Sequence, residues 1–507
     1  MASHQLERLT AIDAGFLHQE DANAHMQIGG VVVLEGEPLT RQELLEQIRE
    51  RLHLVPRYRQ KLAFTSLDRG RPVWADDPDF DPDFHVRHAA LPAPGSFRQL
   101  EVLTARIFSQ PLDRSRPLWE MWLVEGLRDG RCALISKNHH ALIDGVAGVD
   151  LATVLFDLQP QTQPLISNGR PWQPRPQPSR LELLGAFARG VARSELKLAR
   201  KVVEALSDPE RAAAELREAA EGLGEVAWAL LNPAPPSPLN GPIGPYRRFI
   251  GVGCKLDEFK EIKNSLGGTV NDVMLAVVSG ALRAFYEHRG LRTDGVELRA
   301  LVPVSVRAPD EHGVMGNRIV AMRAPLPLYI KSARERLRFV ATAMADLKSS
   351  KQAVGAKVIS EVQNFTPPTL LAQASRLQFS TRLFNLLVTN VPGPQFPLYV
   401  RGRQIASAFP VPFLAKNHRL SIAIMSYNGE LGFSLLADFD GLTDVEVIAA
   451  AIEREIAALL AEARGKGQPA QAAPALRRSR IPFDGNGARG RARSERPRSS
   501  ARASTVG

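Results

Sequence analysis

Residues 138–145 read Asn138-His139-His140-Ala141-Leu142-Ile143-Asp144-Gly145, and in this 507-residue chain they are the stretch best suited to chemistry. An imidazole is the side chain whose ordinary pKa suits proton transfer near neutrality. One histidine can take a proton from an alcohol or amine and return it to a leaving group. With both substrates bound together, no covalent enzyme intermediate is needed. Two adjacent histidines on extended backbone point in opposite directions, so one faces a given pocket. That argues against a shared metal, which asks for ligands two or four positions apart. Asp144 is placed to orient the loop through a cation or backbone amides, and Gly145 permits a turn closed to other residues. The plainer alternative is a histidine pair in a polar loop beside a structural aspartate.

Such chemistry needs the end of a rigid element, where polar groups reach a cleft. Residues 118–124 and 132–136 predict strands leading into the motif, and the pattern turns helical after Gly145 through Leu158. Upstream, residues 26–35 predict a strand. Thr40 and Glu43 form a capping box for a helix with the stripe Leu44, Leu45, Ile48 and Leu52. Residues 1–160 therefore read as one α/β unit. Residues 161–245 read as a connector: a Pro- and Gln-rich linker, an Ala/Glu/Arg/Leu-rich helical stretch to 231, and a Pro/Gly-rich hinge at 232–245. A second α/β unit spans 246–463. It holds a helix over 269–286 capped by Thr269 and Asp272, and strands over 298–306 and 385–391. Strands over 420–425 and 430–436 flank Tyr427-Asn428-Gly429, a type I′ hairpin signal. Thr443 and Glu446 are placed to cap a last helix ending near 463.

The hydrophobic fraction of 44% suffices for a sizeable core and excludes a wholly disordered chain. The longest apolar run, 273–282, is far short of the ~20 residues of a bilayer span. The first 30 residues lack a secretory h-region, and two cysteines, Cys132 and Cys254, suit a reducing compartment. No CxxC, HExxH, Walker A or GxSxG string occurs, and neither cysteine has an activating neighbourhood. The net charge of +10 is concentrated in residues 464–507, an Arg-rich tail too poor in large apolar residues to fold alone. Clustered arginine there, and the basic flank of the connector, could meet anionic lipid. Phe483 is the tail's single aromatic, so nucleic acid is not expected. A solvated extension is the alternative.

The string HHxxxDG is the signature of the coenzyme-A-dependent acyltransferase superfamily, which includes chloramphenicol acetyltransferase and peptide-synthetase condensation domains. More closely, the chain resembles the bacterial wax ester synthase/acyl-CoA:diacylglycerol acyltransferase family over about residues 5–463. The resemblance rests on an ordered set: residues 9–13 with Phe16-Leu17, 26–30, Pro117-Leu118-Trp119, 238–244, 271–276, 302–307, Gly316-Asn317 and 389–394. It implies two chloramphenicol-acetyltransferase-like α/β lobes, a helical connector, and an active site in a tunnel between the lobes; the disordered basic tail, read from composition, is not part of the pattern. It implies His140 as general base for transfer of a long-chain acyl group from acyl-CoA to diacylglycerol, with wax ester synthesis from fatty alcohols as a second activity. His139 would support it from behind. Asp144 would pair with an arginine, for which Arg307 is the matching candidate, and Gly145 completes the motif. Asn271 would either steady the thioester oxyanion or, with Asp272, cap its helix. Acyl-CoA is a substrate carrier, and neither cofactor nor metal is implied. The expected location is cytoplasmic, peripheral to the inner membrane face or lipid droplets. The alternatives are an acyltransferase for another hydroxylated or amine acceptor, and a non-catalytic lipid-droplet binding protein.

Overall fold

The computed structural model describes residues 7–64, 71–142, 153–161, 172–183, 185, 207, 231–305, 319–349 and 379–465. The amino-terminal half contributes α1 (Ala11–Gln19), β1 (Gln27–Leu34), α2 (Arg41–Arg51), β2 (Gln60–Ala63), β3 (Val73–Asp76), α3 (Pro82–His85), β4 (Val86–Ala90), α4 (Phe97–Phe108), β5 (Trp119–Glu125) and β6 (Cys132–His139). The carboxy-terminal half contributes β7 (Arg247–Lys255), α5 (Leu256–Leu266), α6 (Val270–His288), β8 (Glu297–Ser305), β9 (Ile319–Pro327) and α7 (Ala333–Ser349). It continues with β10 (Leu386–Pro392), β11 (Tyr399–Val400), β12 (Arg403–Val411), β13 (Leu420–Tyr427), β14 (Glu430–Asp438) and α8 (Val445–Ala463).

These strands make two six-stranded sheets, ordered β11-β12-β1-β6-β5-β4 and β7-β14-β13-β10-β8-β9, with β2-β3 as a separate ribbon. The halves are not independent sheets. Strand β12 lies antiparallel to β1, Val32 opposite Ala408, so the carboxy-terminal half supplies part of the amino-terminal sheet. A charged girdle fixes this exchange. Arg403 reaches Glu43 at 2.7 Å and Arg401 reaches Glu50 at 2.8 Å, both on α2, while Arg51 pairs with buried Asp157.

The carboxy-terminal sheet follows strand periodicity. Ala300, Val302, Leu386, Val388, Ile422 and Phe433 face an apolar core shared with α5 to α8. Their neighbours Leu301, Leu387 and Leu436 face a second core with Val31, Ile135 and Phe409 from the first sheet and Phe108 from α4. The histidine strand lies in that first sheet. β6 pairs with β1 along its whole length, Gln27 opposite His139. Gly29 is required there, because a Cβ would lie 1.8 Å from the Ser136 carbonyl oxygen.

Thr40 and Thr269 form the expected capping boxes at α2 and α6. Asn428 (φ 45°) and Gly429 (φ 82°) make the two-residue turn of the β13-β14 hairpin. Three expectations change. Thr443 is not a helix cap: Asp444 precedes α8, but Arg289 holds its carboxylate at 2.8 and 2.5 Å, and Glu446 binds Arg98 of α4 at 2.7 Å across the lobes. The helix after the motif does not reach Leu158, since Asp157 already pairs with Tyr399 in a bridge. Residues 232–245 form a pinned strap instead of a free hinge. Leu239 is buried, the Asn240 amide donates to the Asn385 carbonyl at 3.0 Å, and the Gly244 N–H donates to Asp438 at 2.6 Å. Most of the connector and the Arg-rich tail lie outside the described residues.

Candidate active site

β6 is apolar through Ile135 and then polar at Ser136, Lys137, Asn138 and His139. The last three are all buried, so each needs a partner. Lys137 donates to the carbonyls of Ile107 (3.0 Å) and Gln110 (2.7 Å) at the end of α4, and burial pushes its pKa down to about 8. The Asn138 oxygen accepts from the Tyr58 hydroxyl at 2.7 Å. Behind it, Trp119 of the Pro-Leu-Trp segment stacks between Tyr58 and His85, both ring centroids at 4.5 Å, and donates its indole N–H to the Tyr58 carbonyl at 2.8 Å. That segment is packing for the histidine strand.

The two histidines diverge. His139 Nδ1 accepts the Ala141 backbone N–H at 2.9 Å, which places the ring proton on Nε2. Nε2 faces the Glu20 carboxylate, 3.1 Å from Oε1, without the alignment of a hydrogen bond. Glu20 also accepts the Met26 N–H at 3.0 Å and two donors from Arg114, one of them Nε at 3.0 Å. Burial opposes ionisation of Glu20, but His139 and Arg114 outweigh it and hold the carboxyl at about 2.

His140 sits one residue beyond the strand, its N–H donated to the Met26 carbonyl at 2.8 Å. Phe16 of α1 stacks on its ring (centroids 3.9 Å apart, planes 13° off parallel), and Phe413 meets it edge-on at 5.6 Å. Phe379 contacts both phenylalanines. Burial in this aromatic setting, with His139 adding to it, pushes the His140 pKa down to about 4. The ring is therefore neutral at pH 7, and Nδ1 is shielded from solvent without a partner among the described residues.

Glu20 and Phe16 escaped the reading of local spacing. They lie more than a hundred positions from the motif and reach it through the fold. Phe16-Leu17 belongs to the ordered set that carries the family resemblance, but nothing in Phe16-Leu17-His18-Gln19-Glu20 assigns Phe16 or Glu20 to the site. Asp144, Gly145 and Arg307 lie outside the described residues. The fold does not bring Asn271 to the histidines. Thr269 and Asp272 complete the cap of α6 without it, and the Asn271 amide makes no hydrogen bond among the described residues. α6 packs on the outer face of the second sheet and begins about 28 Å along its axis from the end that leads to β8. His140 contacts the inner, interlobe core. Cys132 and Cys254 are free thiols, and burial raises both. Among the described residues no group of three or more His, Cys, Asp or Glu side chains gathers to hold a metal. No single described helix is long and apolar enough to cross a membrane.

Two lobes built on six-stranded sheets, with a histidine at a strand end against their shared core, define the coenzyme-A-dependent acyltransferase and condensation-domain fold. The starter condensation domain of rhizomide synthetase, solved with C8-CoA and Leu-SNAC, superposes with a TM-score of 0.54 at 16% identity, covering 92% of this chain and 96% of that one. A wax ester synthase/diacylglycerol acyltransferase from Marinobacter aquaeolei VT8 superposes with a TM-score of 0.63 at 26% identity, covering 90% of this chain and all of that one (100%). The model of the wax ester synthase/diacylglycerol acyltransferase catalytic domain matches residues 9–274, and that of the WS/DGAT C-terminal domain matches residues 315–460. A probable diacylglycerol O-acyltransferase of Mycobacterium tuberculosis is 34% identical over 460 residues, covering 90% of this chain and 96% of its own. The chain belongs to the wax ester synthase/diacylglycerol acyltransferase family.

Proposed function

We propose that this chain transfers a long-chain acyl group from acyl-CoA to the free hydroxyl of diacylglycerol, giving triacylglycerol, with fatty alcohols as a second acceptor class giving wax esters. The observation that carries the mechanism is His140, a neutral imidazole enclosed by Phe16 and Phe413 at the seam between the lobes. Family membership supports the reaction class.

In this reading His140 accepts the acceptor's hydroxyl proton at Nε2. The oxygen attacks the thioester carbonyl, the C–O bond forms, and the C–S bond breaks as the tetrahedral adduct collapses. The imidazolium then returns its proton to the departing CoA sulfur. A low ring pKa weakens the base but keeps it unprotonated, and stacked rings favour the transient imidazolium by ~0.5–2 kcal/mol. His139, oriented by Ala141 and Glu20, fixes the strand end from which His140 projects. Asp144 and Arg307 are proposed as the ion pair that braces the motif loop, with Gly145 as its turn. Acyl-CoA enters as substrate, and the reaction uses no metal or further cofactor. The enzyme works from the cytoplasm at a lipid surface, since its acceptors are water-insoluble.

The test is CoA release from palmitoyl-CoA with diacylglycerol or hexadecanol offered and the lipid product identified. Triacylglycerol is the expected product. A larger wax ester signal moves the acceptor and leaves the mechanism, whereas no thiol release with either acceptor defeats the reading. Because the base must be neutral, kcat/KM should fall as pH drops through about 4, well below the 6.5 of a free imidazole.

A further inference from the structure

The strands of the second sheet share one end. β13, β10 and β8 are parallel and β14 and β9 run against them, so β7, β13, β10 and β8 start where β14 and β9 finish. Among the described residues, five of the eleven exposed large apolar side chains gather at this end. Tyr246 (61% exposed) precedes β7, Phe439 (42%) follows β14, and Tyr329 (37%) follows β9. Leu291 lies in the turn before β8, and Leu231 adjoins Asn232, whose carbonyl accepts Arg299 of β8. Six strands at ~4.8 Å spacing spread this row over about 24 Å.

Positive charge accompanies it. Arg248 lies 4.1 Å above the Phe439 ring and donates to the Phe439 carbonyl at 3.0 Å. Arg419, at the foot of β13, donates to the Pro242 and Pro238 carbonyls. Among the described residues neither guanidinium has a carboxylate at ion-pair distance, although Asp438 approaches Arg419 across Gly441 and Asp440 lies at the same end, and both arginines sit beside the protruding rings. Rings at headgroup depth with arginines at phosphate level are the composition of a surface that sits on anionic lipid.

The same end connects to the histidines. The Arg247 guanidinium donates to the Asn23 carbonyl, the Asn23 amide donates to the Ile243 carbonyl at 3.0 Å, and Lys416 pairs with Asp21 at 2.9 Å. That short loop also carries Glu20 beside His139 and the Met26 carbonyl that accepts the His140 N–H.

We propose that this end of the second sheet, centred on Tyr246, Phe439, Arg248 and Arg419, docks on an anionic lipid surface and delivers the lipid acceptor toward His140. The proposal rests on the acyl-transfer reading for its acceptor, but the docking itself is separable. It places the contact on the folded lobe, not on the Arg-rich tail.

The test is flotation of the full-length protein with phosphatidylcholine vesicles, with and without about 30% phosphatidylglycerol. Wild type should float with the anionic vesicles, less so at high salt. Tyr246→Ser with Phe439→Ser, and separately Arg248→Gln with Arg419→Gln, should each reduce bound protein about 10-fold or more. Thermal melts report the fold of each pair, and the surface aromatic pair should melt as wild type. CoA release with a short water-soluble alcohol should be unchanged, while triacylglycerol from vesicle-borne diacylglycerol falls with flotation. The proposal is overturned if the aromatic pair floats as wild type. It is also overturned if changing tail arginines 489, 491, 493, 496 and 498 to glutamine removes all flotation while the aromatic pair has no effect. A protein that floats through these residues yet releases no CoA with any alcohol keeps the docking and defeats the acyl-transfer reading.

Discussion

β6 and β13 are both interior strands of six-stranded sheets, yet they end differently. β13 buries Leu420, Ile422 and Ile424 against helices, and its buried Ser421 hydroxyl has no partner among the described residues. β6 is equally apolar through Ile135 but closes on Lys137, Asn138 and His139, each buried and each engaged. A buried polar group costs ~1–3 kcal/mol when left unpaired. Three in succession, Lys137 and Asn138 held by distant segments and His139 by the Ala141 N–H, mark where this fold spends stability to hold a reactive side chain. The partner strand carries packing alone.

The comparison fails outright if the motif end of β6 is dispensable. His140→Ala should lower acyl transfer by ~10²-fold or more with the melting temperature nearly unchanged; equal activity would remove His140 as the base. Glu20→Gln tests whether the network behind the histidines matters. Loss of the charge facing His139 and Arg114 should cost about 10- to 100-fold in kcat, the rate equivalent of ~1–3 kcal/mol. A variant with wild-type kcat would make Glu20 a surface anchor for Arg114 only. The same change should alter acid stability. Glu20 is held at about 2 against an ordinary 4.5, so its contribution is present above pH ~4.5 and lost as pH falls toward 2. In Glu20→Gln that part of the acid transition should flatten, as read by melts between pH 2 and 5.

Lys137→Met sharpens the contrast at the level of stability. Removing the ammonium between two helix-end carbonyls should cost about 1–3 kcal/mol in urea unfolding. The matched change on the other strand, Ser421→Ala, should be neutral to stabilising by up to about 1–3 kcal/mol, because no bond is lost and an unpaired buried hydroxyl is removed. Equal costs for the two would erase the distinction between the strands.

Local chemistry made much of this legible in the sequence. The Thr40 and Thr269 boxes, the Asn428-Gly429 turn and the strand before the histidines are decided by neighbours within four residues, and they stand where expected. Helices α1, α3, α4, α5 and α7 are absent from the sequence-based expectations. α4 does have a capping box at Ser96 and Gln99, but an apolar stripe mixed with arginines hid it. Thr443 looked like a cap because spacing alone recommends it; tertiary ion pairs with Arg289 and Arg98 occupy that terminus instead. The strap at 232–245 looked loose because prolines and glycines suggest a hinge, whereas its buried leucine and amide bonds are long-range facts. The same holds at the site. His139 and His140 announce themselves through one contiguous string, but Glu20, Phe16 and Phe413 have no mutual spacing to read.

The exchange of β12 into the first sheet has a consequence for synthesis on the ribosome. β1 emerges early, but its partner β12 follows about 370 residues later. At ~5–20 residues per second, the β1 edge waits roughly 20–70 seconds with its backbone donors and acceptors unpaired. An unpaired edge invites pairing with another nascent chain. The Gly29-Gly30 pair and the early pairing of β1 with β6 leave a short, weakly side-chained edge to guard during that interval. Truncated chains ending before residue 403 would keep that edge for good, and their fate in the cell would be set by chaperones and not by the strength of the histidine lobe's own core.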